Sequence, residues 1–235
     1  MPHSIKLNGT LDEKWCVGDQ VYVTYDNCYF DQETYRYEAD VISVETSTLE
    51  LDPMACYKPV IYLYPEKTTE VTVTLEYDGV LTSTYPTYDN GWTVTVEPDG
   101  TMTDAQGREY YCLFWEGIPA EERTVFDQGW CVAGKDTAAF LEEKLAELGL
   151  TDKEANEFII YWLPRMEHNA YNLISFQTDA YEAAAKLKVD PAPDSMLRVF
   201  MTWKSVPAKV DVEPQTIAPF VREGFTVVEW GGMEK

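Results

Sequence analysis

The sequence predicts an α+β fold: a β-rich N-terminal part with an antiparallel β-sandwich-like unit, followed by an α+β part with two to three helices packed on a sheet. Three observations carry this prediction. Turn signals recur about every 8 to 12 residues through the first half, the rhythm of antiparallel strands in a sandwich or meander. Helical periodicity is confined to a stretch lying between two strand runs. Strand and helix patterns do not alternate, which argues against a doubly wound sheet.

Residues 1–55 read as a small β unit. Between Trp15 and Leu51, Val21, Val23 and Tyr25 share one face, and Val41, Ser43 and Val44 begin another run after the polar stretch Asp31 to Asp40. Gly18-Asp19 supplies the preceding turn. The pattern Gly18-Asp19-x-Val21-x-Val23-x-Tyr25 resembles the last strands of small OB-like bacterial barrels, so a partial barrel is expected here.

Residues 56–235 form the second expected domain, an antiparallel β unit over 56–118 and an α+β unit over 119–235. Val60 to Tyr64 is apolar on both faces, as in a strand covered on both sides, and Pro65 ends it because proline cannot donate to the ladder. Val71 to Tyr77 alternates, and Asp78-Gly79 predicts a hairpin into Val80 to Tyr85. Strands follow at Trp92 to Glu97 and Glu109 to Trp115, separated by turns at Pro98-Asp99-Gly100 and Gln106-Gly107. Ala138, Leu141, Leu145 and Leu148 then mark a helix stopped by Gly149. Thr151 to Glu154 is a capping box, opening a helix with Ala155, Phe158, Ile159, Trp162 and Leu163 on its apolar face; Pro164 should bend or end it near Arg165. A third helix is predicted over Thr178 to Leu187, a break at Asp190-Pro191-Ala192-Pro193, and closing strands at Leu197 to Trp203 and Phe225 to Trp230.

Charge excludes whole classes of function. Against 18 Lys and Arg stand 41 Asp and Glu, a net charge of −23. Nucleic acid and anionic lipid would repel such a chain, because binding either depends on cations that neutralise phosphates. With 45% apolar and 14% aromatic residues the chain has too much burying material for a disordered acidic tail. It carries no long apolar run for direct membrane insertion. It also enters strand-like sequence soon after Met1, so it looks like the mature part of an exported protein; an extracytoplasmic or cell-envelope location is expected, with the cytoplasm as the alternative.

Several blocks occur in order: Lys58-Pro59-Val60-Ile61-Tyr62-Leu63-Tyr64-Pro65, Gly91-Trp92, Phe114-Trp115-Glu116-Gly117, Tyr161-Trp162-Leu163-Pro164-Arg165-Met166, Asn172-Leu173-Ile174 and Gly224 to Trp230. Together they resemble an uncharacterised bacterial family of Firmicutes and gut anaerobes. That resemblance implies no activity.

The five cysteines, Cys16, Cys28, Cys56, Cys112 and Cys131, form no C-x-x-C pair and read mainly as small buried hydrophobes; a Cys16–Cys28 bridge across a hairpin is the alternative. Asp127-Gln128-Gly129-Trp130-Cys131 resembles the Gln-Gly-x-Cys opening of papain-like proteases, but Gly134 stands where the nucleophile belongs. A Cys131/His168 pair with Asn169 or Asn172 is therefore a weak catalytic candidate. Glu116 beside Trp115 and Glu229 beside Trp230 are the candidates for a glycosidase-like carboxylate pair, since an aromatic neighbour desolvates a carboxyl and raises its pKa. Arg165 is a scarce cation able to receive a ligand carboxylate or anchor a buried ion pair, and Trp92, Tyr62, Tyr64, Trp115 and Asn172 are ligand-contact candidates. No phosphate loop, dinucleotide fingerprint or calcium loop is present, so neither cofactor nor metal is predicted. The leading expectation is a non-enzymatic binding module of the bacterial cell surface, taking a glycan, peptide or protein. A hydrolase with its site near Trp115-Glu116 or between Trp162 and Asn172 is the alternative.

Overall fold

A computed structural model describes residues 58–120 and 125–235 with their side chains, together with the backbone of Tyr57 and of the N-terminal strands. Gly18-Asp19, His3, Cys16, Cys28 and Cys56 lie outside the described residues. The fold is α+β, and the chain divides into two compact units, Met1–Ala55 and Cys56–Lys235.

The first unit holds β1 (Ser4–Ile5), β2 (Gln20–Asp26), β3 (Thr34–Glu45) and β4 (Thr48–Pro53) in one antiparallel sheet of order β1-β4-β3-β2. Most of the polar stretch Asp31 to Asp40 is strand rather than connector. It pairs residue by residue with β2, from Asp26↔Thr34 to Gln20↔Asp40, and a ladder is made by main-chain groups that any non-proline residue supplies. The three-residue spacing of Val41 and Val44 has a matching cause, because the ladder to β4 shifts register between Val41 and Ser43.

The second unit stacks a helical layer, a seven-stranded sheet and a five-stranded sheet. Its strands are β5 (Tyr57–Tyr64), β6 (Thr69–Tyr77), β7 (Gly79–Tyr85), β8 (Trp92–Val96), β9 (Met102–Thr103), β10 (Glu109–Tyr110), β11 (Leu113–Pro119), β12 (Trp130–Ala133), β13 (Tyr171–Phe176), β14 (Ala185–Asp190), β15 (Ser195–Val206) and β16 (Thr226–Glu234). Its helices are α1 (Thr137–Leu148), α2 (Asp152–Met166) and α3 (Thr178–Ala184). The larger sheet runs β12-β13-β15-β16-β5-β11-β7, parallel only between β15 and β16, and the smaller runs β10-β9-β8-β6-β14. Ile61, Leu63, Leu113, Trp115 and Val227 face the smaller sheet, while Val60, Phe158, Trp162, Val199 and Trp230 form the core under α1 and α2. A middle sheet covered on both faces accounts for the apolar runs of β5 and β16.

Four expectations need correction. The division into 56–118 and 119–235 does not correspond to separate units, because each sheet takes strands from both parts. Asp78-Gly79 is not a hairpin: β6 lies in the smaller sheet and β7 in the larger, paired with β11. A Cβ on Gly79 would stand 2.2 Å from the Ile118 carbonyl oxygen, so the crossing between sheets is packed against β11 where only glycine fits. The third helix ends at Ala184, and Leu187 belongs to β14, opposite Leu75 of β6. That ladder completes the smaller sheet and outweighs the modest helix preference of an alanine-rich run.

Glu109 to Trp115 is two strands rather than one: β10 pairs with β9 in the smaller sheet, while β11, from Leu113, pairs with β5 and β7 in the larger. Other local signals match the structure. Asp99 accepts the Thr101 amide and Asp104 those of Gln106 and Arg108, so both acids serve hairpin turns. The capping box is complete, and Pro164 falls in the last turn of α2, one helical turn short of its C-cap.

Candidate functional site

Side chains alternate across a strand, and this separates the two acids nominated as a catalytic pair. Trp115 points between the sheets, so Glu116 points to the helical face; Glu229 shares the Trp115 side. Its carboxylate accepts the Trp115 indole N–H at 3.0 Å and the Arg198 Nε at 2.6 Å, with Arg198 Nη2 also 2.6 Å away. Arg198 Nη1 donates to the Ala185 carbonyl at 2.6 Å, and its guanidinium lies 4.6 Å from the Tyr181 ring centre. Burial alone would lower the Arg198 pKa, but the Glu229 and Tyr181 charges outweigh it and raise it. Glu229 is fully buried and already paired, so it serves as the inner half of a structural ion pair. The sequence signal for Arg198 was a cation inside the apolar run of β15.

On the helical face the geometry gathers residues that the sequence had scattered. Glu116 sits at a register shift of β11 and accepts the Lys58 amide at 3.3 Å. Burial raises its pKa, opposed by that hydrogen bond and by the charges of Arg165 and Lys58. The Lys58 ammonium lies 4.9 Å from the Tyr161 ring centre and 5.3 Å from that of Trp230, and the Arg165 guanidinium lies 4.3 Å from Tyr161. Two cations therefore share one tyrosine beside a half-buried acid. Lys58 was not nominated, although it opens the Lys58 to Pro65 block and lies in β5.

Most nominated ligand contacts are structural. Trp92 is buried in the smaller sheet, with its indole N–H on the Pro86 carbonyl at 2.8 Å and Tyr88 edge-on at 4.6 Å. Its strand neighbours Thr93 and Thr95 take the solvent face, so no aromatic platform forms there. Trp115 is fully buried. Tyr62 lies beneath α2, donating to Glu157 at 2.5 Å, and burial with that carboxylate raises its pKa; Tyr64 stacks parallel to it at 6.4 Å. The Asn172 amide donates to Thr137 at 3.0 Å and to the Met166 carbonyl at 2.9 Å, joining β13 to α1 and α2. Cys131 pairs across the ladder with Leu173 and accepts the Val210 amide, whereas His168 stands in the exposed turn after α2, five residues before Leu173. The His168 Nε2 lies 3.6 Å from Glu167, and among the described residues no hydrogen bond joins it to Cys131.

One cleft escaped the sequence reading. It holds about 610 Å³ between the C-terminal end of α1, the start of α3 and the segment 215–220, walled by Leu148, Phe176, Ile217 and Phe220, with polar groups from Gln177, Thr178, Asp179 and Gln215. Gln215 accepts the Phe176 amide at 2.7 Å and donates to its carbonyl at 2.9 Å. Its side chain thereby serves as the ladder partner of β13 beyond the last β12 pair at Trp130↔Ile174. The sequence carried no signal for this segment, because its contacts lie about 40 residues away along the chain. Asp179 is the one acid in the cleft wall. Among the described residues no three Asp, Glu, His or Cys gather as metal ligands, and no helix is long and apolar enough to cross a membrane.

No family model and no solved structure matches the chain. A stretch of 63 residues, 26% of the chain, is 49% identical to a Butyrivibrio fibrisolvens protein described as "Uncharacterized protein in bglA 3'region". The chain spans 65% of that relative's length.

Proposed function

We propose that this chain is a non-enzymatic binding module of the bacterial cell surface, and that its ligand, a glycan or a peptide, occupies the cleft beside α3. The observation that supports this reading is the cleft itself: apolar walls with a few convergent amide and hydroxyl groups are the usual composition of a ligand site. Carboxylate-driven hydrolysis needs two acids flanking one bond. The cleft wall has a single acid, and Glu116 and Glu229 lie on opposite faces of a sheet, so neither arrangement supplies such a pair.

A glycan and peptide array probed with the intact chain and with Ala218→Arg tests this. Ala218 is an exposed residue of the cleft wall, so the arginine fills the cleft without entering the core. Retention on at least one array member, lost in Ala218→Arg, is expected. Silence across the array, retention unchanged in the variant, or cleavage of the retained ligand each defeats the proposal.

A further inference from the structure

We propose that Lys58, Tyr161, Arg165 and Glu116 form a second binding site, separate from the cleft, that takes a carboxylate carrying a neighbouring hydroxyl, the chemistry of a uronic acid. Cations are the minority here, 18 against 41 acids, yet two of them converge within 5 Å of one ring. Like charges held together raise each other's energy unless an anion lies between them. Neither cation forms an ion pair with a described residue. Glu116 lies close enough for both to lower its pKa, but its Oε1 is held by the Lys58 main-chain N–H rather than by either charged head.

The donor geometry is specific. Arg165 spends Nη1 on the Tyr161 carbonyl at 2.6 Å and, among the described residues, leaves its Nε–Nη2 edge, a planar fork that matches a carboxylate. The stacking on Tyr161 fixes the plane of that fork. Lys58 adds a point charge, delivered from a left-handed backbone conformation (φ 52°) that a non-glycine residue adopts at a cost and that the surrounding fold must hold. Glu116 decides the ligand class. A ligand offering only carboxylate is opposed by this acid, whereas one with a hydroxyl next to the carboxylate gives the fork its anion and Glu116 its hydrogen bond.

Calorimetric titration of the full chain with digalacturonate, galactobiose, lactate and acetate tests the site. Digalacturonate should bind at least about tenfold more tightly than galactobiose, which lacks only the carboxylates, because hydrogen bonds between charged partners are the strong ones. Digalacturonate ahead of lactate assigns the carboxylate to a saccharide and the reverse to a free hydroxy acid; both support the site. Arg165→Gln and Lys58→Gln should each weaken digalacturonate about tenfold. Glu116→Gln, which removes the charge that opposes a bare carboxylate, should tighten acetate and narrow the preference for lactate over acetate, a gain that an unfolded variant cannot produce. Ala218→Arg should leave digalacturonate binding unchanged, since that residue belongs to the cleft. Equal affinity for digalacturonate and galactobiose, no binding of digalacturonate, or its loss in Ala218→Arg overturns the proposal.

Discussion

A carboxylate and a guanidinium removed from water cost several kcal/mol each, and they hold their place only while paired. Arg198 and Glu229 meet that condition between the two sheets, with Trp115 and the Ala185 carbonyl satisfying what the ion pair leaves over. Arg198→Met strands a fully buried carboxylate and should cost about 3–5 kcal/mol in urea unfolding. Coupling it with Glu229→Leu should recover most of that loss, because an apolar pair needs no desolvation; a double variant as unstable as the single would refute this account. Cys112 gives a second residue-level expectation. Burial and the Glu157 charge push its thiol from 9.0 up to about 12. Across that window the folded chain keeps a proton that the unfolded chain releases, so stability falls as pH rises, by at most about 1.4 kcal/mol per pH unit for this group. Urea midpoints at pH 8, 9 and 10 should fall more steeply in the native chain than in Cys112→Ala. Equal slopes would show that the thiol is not the titrating group; Tyr62, raised from 10.0 by burial and Glu157, acts in the same direction at higher pH.

At the scale of elements, the start of α2 joins local and distant chemistry. Thr151 and Glu154 cap each other, and the Glu154 side chain, buried beneath the loop, also receives Arg222, which in turn donates to the Gly149 carbonyl at 3.0 Å. Gly149 ends α1 at φ 99°, with Phe220 packed where a Cβ would point. Thr151→Ala should cost about 1 kcal/mol, the usual worth of an N-cap. Arg222→Met should cost about 1–3 kcal/mol, since it strips a buried carboxylate of its charged partner. A double-mutant cycle of Glu154→Gln with Arg222→Met should show positive coupling, and strict additivity would mean that the two do not interact. The same junction marks how far the sequence could be read. The capping box and the Gly149 stop were legible because their partners lie within four residues; Arg222 was not, because its partner is 68 residues away. Leu187 was misread as helix for the same reason, its fate being set by Leu75 across a ladder. At the second site Glu116 and Arg165 were individually legible as a strand-end acid and a rare cation. Their convergence with Lys58 was not, because it depends on β11 lying beside β5 beneath α2.

The whole molecule is constrained by where its ladders close. Every strand of the seven-stranded and five-stranded sheets lies between Tyr57 and Glu234 and finds its partners there. Both cores of that unit are likewise built from residues of the same stretch, from Val60 to Met233. At about 180 residues such a unit buries roughly 70% of the surface its unfolded chain exposes, enough to fold alone. The fragment Cys56–Lys235 should therefore unfold in urea as one cooperative transition. Its dependence on denaturant should scale with its own buried surface rather than with that of the 235-residue chain. The buried tryptophans Trp115, Trp162, Trp203 and Trp230 lie in this unit and report on it by fluorescence. A fragment with solvent-exposed tryptophan emission and no transition would show that the first unit is required for the second to fold. The expected result leaves both proposed sites available in the fragment, because Lys58, Glu116, Tyr161 and Arg165 and the whole cleft wall lie within it.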